Sequence, residues 1–313
     1  MRKKLALVLG FFVLVLLGAA WAFAPTTITP LALPGVQALP PAHPPADMSI
    51  SALPTADLHS RAGFAFRGGS MSEPRVFSQT ALLVRHPRGD LLFDTGLGIH
   101  ARDHFGTMPW LLQTFTRLDL RKPAAQQLSA AGYAPGTLAG IVPTHVHWDH
   151  ISGAPDFPGV PVWLNAIERK FAQEGGRPSA LYRSFGEVPT RAYGFESRAY
   201  LGFESSFDVW GDGAIVLVLA PGHSPGSILA FITLPSGKRF VLLGDLVWQS
   251  DGITRPAERP GLSSLLVDDD AEQVRHGIAH VAALQRRFPE LMMLPAHDDR
   301  AWSQLPVFPQ SLQ

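Results

Sequence analysis

The chain has 313 residues, 46% of them apolar and none of them cysteine. That length suits one large domain or two small ones with a substantial core, and the lack of cysteine excludes a disulfide framework, a thiolate metal site and a cysteine nucleophile. Lys and Arg number 26, as do Asp and Glu; this balance, with no long run of like charge, argues against nucleic acid as the main partner.

Arg2, Lys3 and Lys4 precede LALVLGFFVLVLLGAAWAFA, residues 5–24, which carries no charge. A basic start and an apolar run form the pattern of an export signal. Small-residue cleavage patterns stand at Ala20-Trp21-Ala22 and Ala22-Phe23-Ala24. A run of about 20 residues also suffices to span a bilayer uncut, and its leading positive charges would keep that end cytoplasmic. Residues 1–24 are therefore expected as a signal peptide or an N-terminal membrane anchor. The remainder would be exported, periplasmic or membrane-anchored facing outward. Membrane contact would come only through this segment if it stays uncleaved. Residues 25–54 hold eight prolines and read as an extended linker. The folded domain is expected over 55–313.

ALLVRHPRGDLLFDTG, 81–96, reads as a hairpin around a Pro-Arg-Gly-Asp turn. Residues 106–132 carry helical spacing interrupted by Pro123. GIVPTHV, 140–146, is a short strand, VPVWLN, 160–165, another, and AIERKFAQEG, 166–175, a helix ending at Gly. Residues 176–205 show no clear period and read as a long loop or lid. AIVLVLAPGH, SILAFITLP and RFVLLGD give strands over 214–223, 227–235 and 239–245. Asp269 and Glu272 suit a capping-box start for a helix through about 287, with Val274, Ile278, Val281 and Leu284 on its apolar face. ELMMLPAH, 290–297, is a last strand. Strands in two groups, each followed by helix, with no GxGxxG and no P-loop, point to an α/β fold of mixed sheets covered by helices rather than a doubly wound parallel sheet.

The chemistry concentrates in THVHWDH, 144–150. Side chains two apart on an extended segment point the same way, so His145 and His147 can grip one ion. If the chain then turns into a helix, Asp149 and His150 swing to a neighbouring position and can hold a second. Neutral imidazole and carboxylate suit zinc, and also iron, manganese or cobalt. His223 in PGHSPGS, Asp245 in LLGD and His297 in LPAHDD stand at strand ends, where side chains from separate strands converge on one rim. Asp94 in FDTG either orients a ligand histidine or is a turn carboxylate.

These motifs, in this order over roughly residues 75–300, resemble the metallo-β-lactamase superfamily. The resemblance implies a four-layer αβ/βα sandwich with two mixed sheets and two divalent metal ions on one edge, zinc first. It implies that His145, His147 and His223 bind one ion, that Asp149, His150 and His297 bind the other, and that Asp245 bridges them. A hydroxide between the ions would be the nucleophile. Asp149 would be the catalytic residue, passing a proton to the leaving oxygen. Two such ions lower the pKa of a shared water and stabilise an oxyanion.

Within the superfamily, the C-terminal layout is similar to N-acyl-homoserine lactonases. The chain departs from them at Trp248, three residues after Asp245, where they carry Tyr; indole offers only an N–H donor and cannot act as a phenol. Phe105, Met108, Trp110, Leu111 and Leu112 admit two readings, a groove for an acyl chain or an ordinary core helix. Arg255 and Arg259 read better as solvated loop charges than as contacts to an anionic substrate. His276 and His280 read as partly exposed and structural. His43, His59, His86, His100 and His104 have no motif context.

The expected function is a dinuclear metal-dependent hydrolase acting on a small ester-like molecule, lactones favoured. Thioester, β-lactam or phosphodiester hydrolysis is the alternative. Iron-dependent thiol dioxygenase chemistry is a further one; the diiron flavoprotein type normally has Glu where His147 stands. Neutral charge and an export signal weigh against a nuclease. A purely binding module would not need the complete ligand set. The oligomeric state is not legible.

Overall fold

The computed structural model describes residues 20–313 together with Lys4, Gly10 and Gly18. The expected signal peptide or anchor, 1–24, lies largely outside the described residues. Among these, no helix is long and apolar enough to cross a membrane.

Two mixed sheets form the centre. The seven-stranded sheet has the order β4-β1-β2-β3-β5-β6-β7. Its strands are β1 (Ser49–Arg61), β2 (Pro74–Arg85), β3 (Leu91–Phe93), β4 (Arg117–Leu120), β5 (Gly140–Val142), β6 (Val162–Asn165) and β7 (Thr190–Tyr193). The five-stranded sheet has the order β12-β11-β10-β9-β8, from β8 (Phe207–Asp208), β9 (Ile215–Leu219), β10 (Ile228–Thr233), β11 (Arg239–Gly244) and β12 (Leu291–Pro295). The first sheet is antiparallel from β4 to β3 and parallel from β3 to β7. In the second, only β11 and β12 run parallel.

Period-two alternation explains the layering. Leu82 and Val84 of β2 face the other sheet, where they meet Leu217, Ala230 and Leu242. Ala81 and Leu83 face outward, onto Ala124 and Leu128 of the Ala124–Ala130 helix and Ala172 of the Ala166–Glu174 helix. In the second sheet, Val216, Val218, Val241 and Leu243 face outward onto Val274, Ile278, Val281 and Leu284 of the Ala271–Arg287 helix. Both faces of both sheets are therefore buried, at about 1.5–3 kcal/mol for each large side chain removed from water. The result is the αβ/βα sandwich.

Several boundaries move. β1 begins at Ser49, inside the segment read as linker, and pairs along its whole length with β2. The stretch before it has no named helix or strand, yet Ile28 and Val36 are buried against the second sheet's helix layer. Apolar residues between prolines thus seat the segment on the core. The helix read over 106–132 is instead two short helices, Trp110–Thr114 and Ala124–Ala130, flanking β4. Pro109 lacks an N–H and Pro123 breaks the path, and the open edge of β1 recruits Arg117–Leu120 as a strand. The loop read over 176–205 holds the Ala180–Ser184 helix and β7, which extends the sheet beside β6. Asp270, not Asp269, caps the long helix: its side chain accepts from Glu272 and Gln273 N–H.

Candidate metal centre

The motif-bearing segments all leave the same end of the two sheets. β5 stops at Val142. Beyond it the chain bends at Thr144 and His145 and reaches His147, the N-cap of the Trp148–Ile151 helix, with φ −72° and ψ 160°. His145 and His147 thus lie on the approach, and Asp149 and His150 in the helix's only turn. His223 follows β9, Asp245 follows β11 and His297 follows β12.

Two close approaches allow this convergence. Gly244, immediately before Asp245, has φ +51°, and a Cβ there would come within 2.9 Å of Thr144 Cβ. A Cβ on Gly226, in the His223 turn, would lie 2.3 Å from Glu168 N. Glycine is required at both.

The structure brings all seven expected residues together. Ligand atoms of His145, His147 and His223 lie within 4.8 Å of one another, as do those of Asp149, His150 and His297, and those of His145, His150 and Asp245. Asp245 stands between the groups. Its Oδ1 is 2.9 Å from His297 Nε2 and 3.2 Å from His150 Nε2. Its Oδ2 is 3.3 Å from His223 Nε2. Asp149 Oδ2 is 3.4 Å from His297 Nε2.

The donor set fits a metal. The Nε2 atoms of His145, His147, His150 and His223 and Oδ1 of Asp245 are buried without a hydrogen-bond partner, an arrangement costly in a protein interior unless an ion engages them. On His150, His223 and His297 the Nδ1 atom is engaged. His150 Nδ1 donates to Asp94 Oδ2 at 3.0 Å, His223 Nδ1 to Asp268 Oδ1 at 2.8 Å and His297 Nδ1 to the Ser78 carbonyl at 3.0 Å. Such bonds fix the tautomer that leaves Nε2 free for a metal. Asp94, itself at φ +51°, also accepts the Thr144 N–H at 2.6 Å. It therefore orients a site histidine and the strand end before it, and is more than a turn carboxylate.

Without a metal the electrostatics divide the site. Burial, then neighbouring imidazoles, hold His145 and His147 well below the ordinary histidine range. Burial and the Arg259 guanidinium bring His223 down to about 4. These three rings are neutral, as ligation requires. Burial opposes charge on His150 and His297 as well, but the surrounding carboxylates outweigh it and raise both. Burial raises Asp149. Asp245 is opposed by burial too, yet His297, His150 and His223 hold it well below the usual carboxylate range.

Sequence reasoning missed several supports. Glu168 is buried and accepts from Val146 N–H at 2.8 Å, Ser224 Oγ–H at 2.7 Å and Gly226 N–H at 3.0 Å. Arg259, read as a solvated charge, is 3% exposed. It donates to Asp268 and to the Asp245 carbonyl, and its guanidinium lies 4.8 Å over the Trp248 ring. The carbonyls and Asp268 supply acceptors to its two terminal nitrogens, while Nε is buried without a partner. Arg255 is a surface residue paired with Asp251. His280 is buried rather than partly exposed, stacked 4.0 Å from Phe203. Asp268 opens a run of three aspartates, a signal that capping absorbed.

Above the centre lies a cavity of about 130 Å³, with His147, Asp149, His223, Asp245 and His297 in its floor. Leu58, Phe64, Phe77, Met108, Leu112 and Trp248 contribute to an apolar wall, and Arg177 is a cation at its edge. Met108 and Trp248 stand where the sequence put them. Trp110 does not: it is 70% exposed and outside the lining, because Leu112 turns inward from the same helix. Phe105 is outside as well, packed edge-on to Trp148. Trp248 Nε1–H donates to Asp245 Oδ2 at 2.7 Å.

The profile of the metallo-beta-lactamase superfamily matches residues 74–297. The chain is 31% identical over 230 residues to a probable metallo-hydrolase of Mycobacterium tuberculosis, covering 69% of this chain and 73% of that one. It is 27% identical over 195 residues to the N-acyl homoserine lactonase AttM of Agrobacterium fabrum, covering 59% and 71%. Its fold is similar to that of an N-acyl homoserine lactone hydrolase solved with N-hexanoyl-L-homoserine at its catalytic metal centre, with a TM-score of 0.66, 17% identity, and coverage of 84% and 98%. The match spans every strand-end motif from Asp94 to His297, and the chain belongs to the metallo-beta-lactamase superfamily.

Proposed function

We propose that the chain is a dinuclear metal-dependent hydrolase that attacks an ester-like carbonyl, with a lactone the favoured substrate. The observation that carries this reading is the Asp245 carboxylate, with one oxygen toward His150 and His297 and the other toward His223. In this reading His145, His147 and His223 hold one ion, Asp149, His150 and His297 the other, and Asp245 bridges. Divalent ions bound there, zinc first, would supply Lewis acidity and an activated water.

The residues do the remaining work. Asp149 sits in the cavity floor, where its carboxylate can take up a proton released in the attack and pass it to the leaving oxygen. Asp94 and Asp268 hold the rings of His150 and His223 in one tautomer. Met108, Leu112 and Phe77 exclude water and accept an apolar substituent. Trp248 spends its N–H on Asp245, so it orients that carboxylate rather than a substrate carbonyl. The small cavity suits a small molecule. AttM and the solved lactone hydrolase, named for lactone opening, support the substrate class.

The test is hydrolysis of N-acyl homoserine lactones by the zinc-loaded protein, followed by acid release at constant pH. Parallel thioester, β-lactam and phosphodiester assays decide the class if lactones are not opened.

A further inference from the structure

We infer that the mouth of the cavity docks on the surface of a lipid bilayer. Of the ten large hydrophobic side chains exposed among the described residues, Phe115 lines the cavity, Trp110, Leu262 and Leu265 stand on the two helices that wall it, and Trp21 lies against one of those helices. Leu265 is 82% exposed, Trp110 70% and Trp21 68%. Single exposed apolar side chains are ordinary, whereas a cluster beside a pocket marks a docking face.

Two walls of the cavity carry the cluster. On one side the Gly261–Val267 helix sends Leu266 and Val267 into the cavity and leaves Leu262 and Leu265 outside. On the other, the Trp110–Thr114 helix sends Leu112 inward and leaves Trp110 outside, and Phe115 follows at the lip.

The same rim receives Trp21, Ala22 and Phe23, described residues at the end of the uncharged run. A Cβ placed on Gly261 would meet the Trp21 ring at 3.7 Å, an ordinary contact. Phe23 packs edge-on to Phe64 at 6.0 Å, and Phe64 lies 5.4 Å from Phe115. A row of aromatics therefore links the end of the uncharged segment 5–24 to the lip of the cavity. That segment follows Arg2, Lys3 and Lys4. Tryptophan and leucine on a rim, beside an apolar run with a basic start, are the composition that seats a protein in the headgroup region. The lipid surface is thus a better match for this face than a second copy of the chain, which would have no use for the adjoining run. No membrane-crossing helix is needed for the docking itself.

The lack of cysteine makes the test clean. Leu265→Cys, Trp110→Cys and Lys238→Cys variants of the full chain each carry one polarity-sensitive fluorophore. Lys238 is an exposed residue in the turn before β11, at the strand end opposite Asp245. Vesicles of phosphatidylcholine and phosphatidylglycerol, with a spin-label quencher near the headgroups, are then added. Labels at 265 and 110 are expected to shift blue and to be quenched severalfold more than the label at 238. Adding Leu262→Asp and Leu265→Asp to the Trp110→Cys chain removes that difference while circular dichroism is unchanged. Equal quenching at all three positions would overturn the proposal, because the N-terminal run alone would then hold the protein. A blue shift that needs no vesicles and grows with protein concentration would overturn it in favour of a second copy. None of these readouts requires turnover, so they stand apart from the substrate assignment.

Discussion

Glu168 Oε1 accepts the N–H of Val146 at 2.8 Å, and Val146 lies between His145 and His147. The other oxygen of the same carboxylate accepts from Ser224 and Gly226, beside His223. One buried side chain therefore ties together the two loops that carry the first histidine group. Glu168→Gln replaces an acceptor with a donor that faces N–H and O–H groups. An unsatisfied buried donor costs about 1–3 kcal/mol. The expected outcome is a metal affinity lower by about ten- to a hundredfold, with an unchanged circular dichroism spectrum. Titration of the metal-free protein with zinc checks it; wild-type affinity would show that the tether does not position the histidines.

Asp149 is assigned both a place in the second histidine group and the proton transfer. Asp149→Ala is expected to lower kcat by about 10²–10⁴. The group of His145, His147 and His223 is untouched, so about one equivalent of metal should remain by elemental analysis. Near-normal turnover in this variant would remove Asp149 from the mechanism.

Trp248 tests the departure from the lactonases. Trp248→Phe keeps an aromatic wall but deletes the bond to Asp245 Oδ2. A hydrogen bond to a charged group is worth about 1.5–3 kcal/mol. kcat should therefore fall by about ten- to a hundredfold, with KM for an apolar substrate changed by less than about threefold. A change confined to KM would mean that the indole contacts substrate instead.

His280 offers a pH prediction away from the metal centre. Burial, with His276 adding to it, lowers this ring from its ordinary 6.5, and the Leu201 carbonyl only partly offsets that. In the unfolded chain the ring protonates first as pH falls. Its contribution to stability is thus complete above about pH 6.5 and is lost as pH falls toward the lower folded value. Urea unfolding of wild type and His280→Gln, at pH 7.5 and 5.5, should show a smaller pH dependence in the variant. Equal dependence in both would contradict the assignment.

The metal constellation was legible because each of its residues ends a strand in a short, distinctive motif. THVHWDH, PGHSPGS, LLGD and LPAHDD survive any error in the elements between them. The supports were not legible. Glu168 looks like one more charge on an amphipathic helix, and only the Gly226 approach reveals that it faces inward. Arg259 sits in a Pro-rich loop, where an exposed charge is the ordinary expectation; its acceptors are carbonyls and a distant aspartate. The pocket wall was half legible. The apolar cluster Phe105, Met108, Trp110, Leu111 and Leu112 offered a groove or a core helix; Met108 and Leu112 line the cavity, while Trp110, the first residue of the helix after Pro109, is turned to solvent. β4 was missed because Arg117–Leu120 becomes a strand only by borrowing the edge of β1.

The central claim is that this centre binds metal and uses it to hydrolyse an ester-like bond. Lactone opening by the full chain, measured before chelation, after chelation and after zinc is restored, tests it most directly when paired with elemental analysis. The account predicts about two equivalents of metal per chain, turnover abolished by the chelator, and turnover recovered with zinc. Turnover unaffected by removal of the metal, or a chain that binds no metal at all, would contradict it.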